Sequence, residues 1–177
     1  MDLKIQFSES RVGRFIFSDT RMSWLWLAVR LYIGWIWLEA GWAKFGNPAW
    51  IGPEAGTAVK GFLTGALAKT GGIYPDVQWW YASFIENFAL QHTVLFSYAV
   101  TLGEIAVGLG LVLGLLTGVA AFFGTLMSLN FLLAGTASIN AVLILSGFLL
   151  MLAWRNAGWW GLDRYVLTKI IKHFWST

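Results

Sequence analysis

The sequence predicts an all-α integral membrane protein: a four-helix bundle with two short extracytoplasmic amphipathic helices and a C-terminal interfacial helix. Three observations predict it. The chain of 177 residues is 58% hydrophobic but only 12% charged, where an average soluble domain carries about 25% charged residues. Four stretches are long and apolar enough to cross a hydrocarbon layer of about 30 Å at 1.5 Å per residue. Residues 105–154 contain no Asp, Glu, Lys or Arg at all, which removes the polar faces that a soluble helical bundle needs.

The four spans are residues 22–45, 93–116, 117–135 and 139–159, within one membrane domain covering residues 1–177. The first is too long for the apolar region of a cleavable signal peptide and follows more than 20 polar or mixed residues, so it is expected to stay as an anchor. Lys4, Arg11, Arg14 and Arg21 precede it, and Arg155, Arg164, Lys169 and Lys172 follow the last span. Cationic tails stay on the cytoplasmic side. An even number of spans therefore places both termini in the cytoplasm, and a prokaryotic plasma membrane is the expected location. Residues 46–92 and the turn at 136–140 then lie outside, and the inner turn around Leu116 and Thr117 is tight.

The outer segment carries its own structure. Pro48, Gly52 and Pro53 break the chain, after which Val59, Phe62, Leu63, Ala66 and Leu67 recur at helical spacing. Gly71, Gly72 and Pro75 make a second break, followed by a stripe of Val77, Trp80, Tyr81, Phe84, Ile85 and Phe88. Two amphipathic helices on the outer membrane surface, or over the bundle mouth, satisfy this pattern. Residues 163–174 read likewise as a basic interfacial helix on the inner face.

Composition also excludes chemistry. With 0 Cys the chain has no disulfide framework, thiolate metal site or cysteine nucleophile. Neither a phosphate loop nor a nucleic-acid motif is present. His92 stands alone where the outer segment re-enters the membrane, so neither haem nor zinc is expected. It reads as a boundary residue or as a proton-transfer group.

The informative residues are the polar ones inside the spans. Arg30 and Glu39 lie in the first span and Glu104 in the second, each costing roughly 2.5–3.5 kcal/mol at a helix centre. Counted from Trp24, Arg30 lies about 9 Å and Glu39 about 22 Å from the inner edge. Glu104 falls near the midplane, about 15 Å from Val94. Side chains lean toward their own helix N-terminus, so Glu39 and Glu104 are expected to approach one another. Arg30 is expected to snorkel to the inner headgroups. Asn130, in the third span, is either helix glue or a hydrogen-bond donor. Gly34, Gly41, Gly103, Gly110 and Gly114 read as close-packing positions.

Helical spacing places Tyr32, Trp35, Glu39 and Trp42 on one face. Such an aromatic wall around a carboxyl suits a flat apolar ring with oxygens, as in a membrane quinone. Trp24, Trp50, Trp79, Trp159 and Trp160 are explained as an interfacial belt, for which Trp35 is too deep.

These stretches resemble the DoxD/DoxX family of small four-helix membrane proteins, the DoxD branch most closely. The resemblance rests on residues 30–45 (RLYIGWIWLEAGWAKF), on Gly103, Glu104 and Gly108, on residues 130–140 (NFLLAGTASIN) and on residues 155–165 (RNAGWWGLDRY). It covers about residues 24–165. The family is functionally mixed. Its DoxD members look like the membrane subunit of a thiosulfate:quinone oxidoreductase of sulfur metabolism, acting with a smaller DoxA subunit. Other DoxX-like members are associated with redox stress responses.

The resemblance implies electron transfer from thiosulfate, or a similar small anionic sulfur compound, to a membrane quinone. On this reading Glu39 and Glu104 exchange protons, Tyr32, Trp35 and Trp42 wall the quinone, and Asn130 donates a hydrogen bond to it. Lys44 and His92 meet the anion at the outer mouth, where cationic groups concentrate it. Snorkelling to outer headgroups is the competing account of Lys44. The alternative function is a non-enzymatic membrane module that recruits redox partners or carries a small solute.

Overall fold

The computed structural model describes residues 10–166. Among these the chain is mostly helical and contains no strand. Helix α1 (Arg11–Ser18) is capped by Ser10, whose Oγ accepts from Gly13 N at 2.9 Å. A 3₁₀ turn (Thr20–Met22), capped by Asp19, leads into α2 (Ser23–Phe45). The segment after it folds into α3 (Thr57–Leu67) and α4 (Trp79–Asn87). A second 3₁₀ turn (Ala89–His92) enters α5 (Thr93–Leu113), and α6 (Thr117–Leu133), α7 (Asn140–Leu152) and the short α8 (Trp154–Ala157) follow.

The closest pairing is α2 with α5, and glycines cause it. A Cβ at Gly34 would lie 3.0 Å from Val112 N, at Gly41 2.8 Å from Ile105 N, and at Gly108 2.7 Å from Leu38 N. Backbone meets backbone at all three, which only a residue without a side chain permits. Helices α6 and α7 pair in the same way, with Gly147 against Thr125. One core then lies among the long helices, built on Trp26, Ile33, Trp37, Val107, Leu111, Leu143 and Leu150. A second joins α3 and α4 to the start of the 3₁₀ turn and the end of α6, through Val59, Leu63, Tyr81, Ile85, Ala89 and Ala134.

Of the four expected spans, only the second lies in a stretch that qualifies by length and apolarity among the described residues, and α2 does not. The stretch Trp79–Leu113, which includes α5, is long and apolar enough to cross a membrane. Helices α6 and α7, of 17 and 13 residues, are apolar but shorter. The expected span 139–159 is not one helix. It breaks at Ala153, and α8 turns to pack against α1 and α2, where Asn156 Nδ2 donates to Asp19 O at 2.8 Å. Helix α1 was not expected; it docks when Trp26 Nε1 donates to Ile16 O at 2.8 Å and the Phe17 and Trp26 rings stack.

Both expected helices of the 46–92 segment form. Val59, Leu63 and Ala66 of the first stripe are buried, whereas Trp80 and Phe88 of the second stay exposed. The tight turn before Thr117 is present, with Gly114 (φ 62°) and Leu116 (φ 50°) both left-handed. Most of the expected helix over residues 163–174, together with Lys4, Lys169 and Lys172, lies outside the described residues.

Candidate functional site

The glycine contacts that bring α2 onto α5 also position the charges. Lys44 stands one turn beyond Gly41, and a Cβ at Gly41 would lie 3.0 Å from Glu104 Cβ. From there Lys44 Nζ reaches Glu104 Oε2 at 2.7 Å, an ion pair whose side chains are 20% and 2% exposed. Lys44 is its accessible end. Its ammonium also sits 5.1 Å from the centre of the Trp50 ring and 3.5 Å from Ala40 O. A cation over an indole face gains further attraction.

Trp50 is held from its other side. Ser97 Oγ donates to Trp50 O at 2.6 Å, and Thr101 Oγ1 donates to Ser97 O at 2.8 Å. Ser97, Thr101 and Glu104, spaced four and three residues apart, thus form a buried polar stripe on one face of α5.

Trp50 also borders a cavity of about 240 Å³, walled by Phe96, Met127 and Phe131 among others. Its polar side chains besides the Trp50 indole are Tyr81 and Asn130. Tyr81 Oη donates to Asn130 O at 3.1 Å and Oδ1 at 3.3 Å, while Asn130 Nδ2 donates to Leu126 O at 2.8 Å. An amide nitrogen carries two hydrogens, so one remains for another acceptor.

The structure therefore unites Glu104 with Lys44 and places Asn130 in the cavity that Trp50 borders. It does not add Glu39. Tyr32, Trp35, Glu39 and Trp42 do share a face, but that face points outward, with the three aromatics 60%, 65% and 69% exposed. The expected approach of Glu39 to Glu104 is corrected here. The α2 face that meets α5 is fixed by Gly34 and Gly41, and Glu39 lies two residues, about 200° of helix rotation, from Gly41. His92 is exposed at the start of α5, its Nδ1 2.9 Å from Phe88 O and its ring tilted against Phe88, centroids 4.7 Å apart. Lys69 Nζ donates to Gly135 O at 2.7 Å.

Arg30 does not snorkel. It is 1% exposed, with Nη2 3.4 Å from Trp160 O and the guanidinium packed on Gly114 and Gly161. Asp163 attracts its charge without a direct ion pair, and Nε and Nη1 are buried without a hydrogen-bond partner; the Asp163 carboxylate accepts from Leu116 N at 2.6 Å and Thr117 N at 2.9 Å and so caps α6. Trp50, Tyr81 and Asp163 are the residues sequence reading missed. Tyr81 had a signal, its place on the apolar stripe of α4. Trp50 had been assigned to the belt.

The sequence matches the family described as TQO small subunit DoxD over residues 25–176. The chain belongs to the DoxD family. No solved structure matches it. The DoxD match includes the ion pair, Trp50, the Tyr81–Asn130 pair and Asp163. Its description makes DoxD a subunit of an assembly, so partner subunits are plausible.

Proposed function

We propose that this DoxD chain is the quinone-binding membrane subunit of a thiosulfate:quinone oxidoreductase, with Glu104 as its proton-handling group. In this reading α2, α5, α6 and α7 cross the bilayer, both tails are cytoplasmic, and residues 46–92 face outward. The exposed Leu145, Phe148 and Leu152 of α7 and Leu95 and Leu102 of α5 support it, since water-facing surfaces rarely carry so much contiguous apolar area. Helix α7 alone is short for the purpose at about 20 Å, and local thinning of the bilayer accommodates such a span.

The cavity suits the head of a quinone. At about 240 Å³ it falls below the roughly 300–1,000 Å³ of sites for drug-sized ligands, so it admits a ring but not a long prenyl tail. Its walls are apolar, and Asn130 offers a free N–H where a ring carbonyl needs a donor. A bound quinone would supply a two-electron, two-proton acceptor. Asn130 and Tyr81 would orient it, Phe96, Met127 and Phe131 would exclude water, and Glu104 would hold a proton on the far side of Trp50. Lys44, the accessible end of the pair, would attract the sulfur anion, which lipid excludes. Glu39 and the outward aromatics have no part in this site.

The observation that carries the reading is the buried Lys44–Glu104 pair set against the wall of an aromatic cavity. Intramembrane charge is costly and marks a function by default. Replacing Glu104 by Gln keeps the shape and removes the proton site, so thiosulfate-dependent quinone reduction in membranes should fall at least about a hundredfold, the scale of general acid–base contributions. Unchanged turnover would remove Glu104 from the mechanism. Purified protein extracted into organic solvent should yield quinone; repeated absence would favour the non-enzymatic module.

A further inference from the structure

Glu39 is the one carboxylate on the exposed face of a helix that the proposed function places in lipid. Among the described residues it makes no hydrogen bond or ion pair. It lies sixteen residues into α2, about 24 Å along the axis and about 9 Å short of the outer end. Its side chain leans back toward the inner end, so it is too short to reach the outer headgroups. Left facing lipid it costs roughly 2.5–3.5 kcal/mol, a penalty the fold does nothing to relieve.

Its neighbours are recognition residues. Trp35 lies one turn before it and Trp42 one turn after, with Tyr32 beyond, all three largely exposed. Tyr and Trp dominate the energetic centres of interfaces, and indole faces attract cations. A cation placed at Glu39 would therefore meet a carboxylate between two indoles.

A second copy meeting this face through its own α2 does not offer that cation. A two-fold contact centred on this face is isologous and would bring the two Glu39 carboxylates near one another. Of the two cations on α2, Arg30 is buried and Lys44 is paired with Glu104. We propose that the outward face of α2 docks a transmembrane helix of a different subunit, one carrying Lys or Arg at the depth of Glu39. The inference rests on the reading of α2 as a membrane span and of the chain as a subunit, which the family's description as a TQO small subunit supports.

The chain has 0 Cys, so one introduced thiol can carry a photo-crosslinker without background. Ala43, exposed one turn from Glu39, is the labelling position, and Leu145 on α7 is the control. In native membranes, benzophenone-labelled Ala43→Cys should form an adduct with one distinct polypeptide. The crosslinked peptide should be a transmembrane helix with Lys or Arg within a turn of the attachment point. Adding Glu39→Gln should lower the adduct about fivefold, the order expected of one interhelical polar pair in lipid, while gel filtration shows the variant unchanged in fold. Leu145→Cys should label lipid alone. An adduct with a second copy, an adduct with lipid alone, or a yield indifferent to Glu39→Gln would each overturn the proposal. The readout does not depend on turnover. Glu104→Gln with full activity beside an intact adduct would sink the quinone reading and leave the docking face standing.

Discussion

Lys44 Nζ lies 2.7 Å from Glu104 Oε2, joining the last turn of α2 to the middle of α5 across their glycine seam. The two residues are 60 positions apart in the chain, and Glu104 is sealed from solvent while Lys44 is not. Removing one partner of such a pair leaves an uncompensated charge, at about 3–5 kcal/mol, whereas replacing both can be neutral. Lys44→Met should accordingly destabilise strongly. Lys44→Met combined with Glu104→Gln should recover most of that loss in thermal unfolding of the detergent-solubilised protein. Additive losses would mean the pair is not coupled.

Gly108 tests the seam itself. Its Cβ would meet Leu38 N at 2.7 Å, so Gly108→Val should force α2 from α5 and loosen the ion pair with it. Gly61, in the middle of α3 with nothing within 4 Å, is the contrast: Gly61→Ala should stabilise by up to about 1 kcal/mol through helix propensity. Melting temperatures of the two variants should move in opposite directions.

The inner turn makes a sharper comparison. Gly114 and Gly72 both have left-handed backbones, but Arg30 fills the space where a Cβ at Gly114 would go, and nothing lies near Gly72. Gly72→Ala should cost about 1–2 kcal/mol of backbone strain. Gly114→Ala should cost clearly more, because the buried guanidinium must also move. Equal losses in denaturant titration would show that Arg30 yields freely.

Asp163 holds two amides at the start of α6. Asp163→Ala should cost about 0.5–2 kcal/mol as a lost helix cap, and more because Arg30 then lacks its offsetting charge. Hydrogen exchange at Leu116 and Thr117 should accelerate while the amides of α3 keep their protection.

Much of this architecture was legible because it is written in local pattern. Apolar periodicity located α2, α3, α5 and α6, and the glycines of α2 and α5 announced close packing. Relative height along a helix was legible too, since rise per residue is fixed. Azimuth was not. Glu39 and Glu104 were expected to lean together, but which side of α2 meets α5 depends on where Gly34 and Gly41 find their partners. Asp163 was hidden for a related reason: the amides it caps lie 46 and 47 residues earlier. The break at Ala153 was equally unmarked, having neither Gly nor Pro, and it arises from the docking of Asn156 on Asp19 O.

Trp50 is at once a wall of the cavity and the seat of the Lys44 ammonium. On the proposed function, sharing one side chain would tie the two places into a reciprocal linkage. An occupant that turned the indole would change how strongly Lys44 holds an anion, and the anion would then change the occupant's affinity by the same factor. Donor and acceptor would then sense each other's arrival without ever meeting.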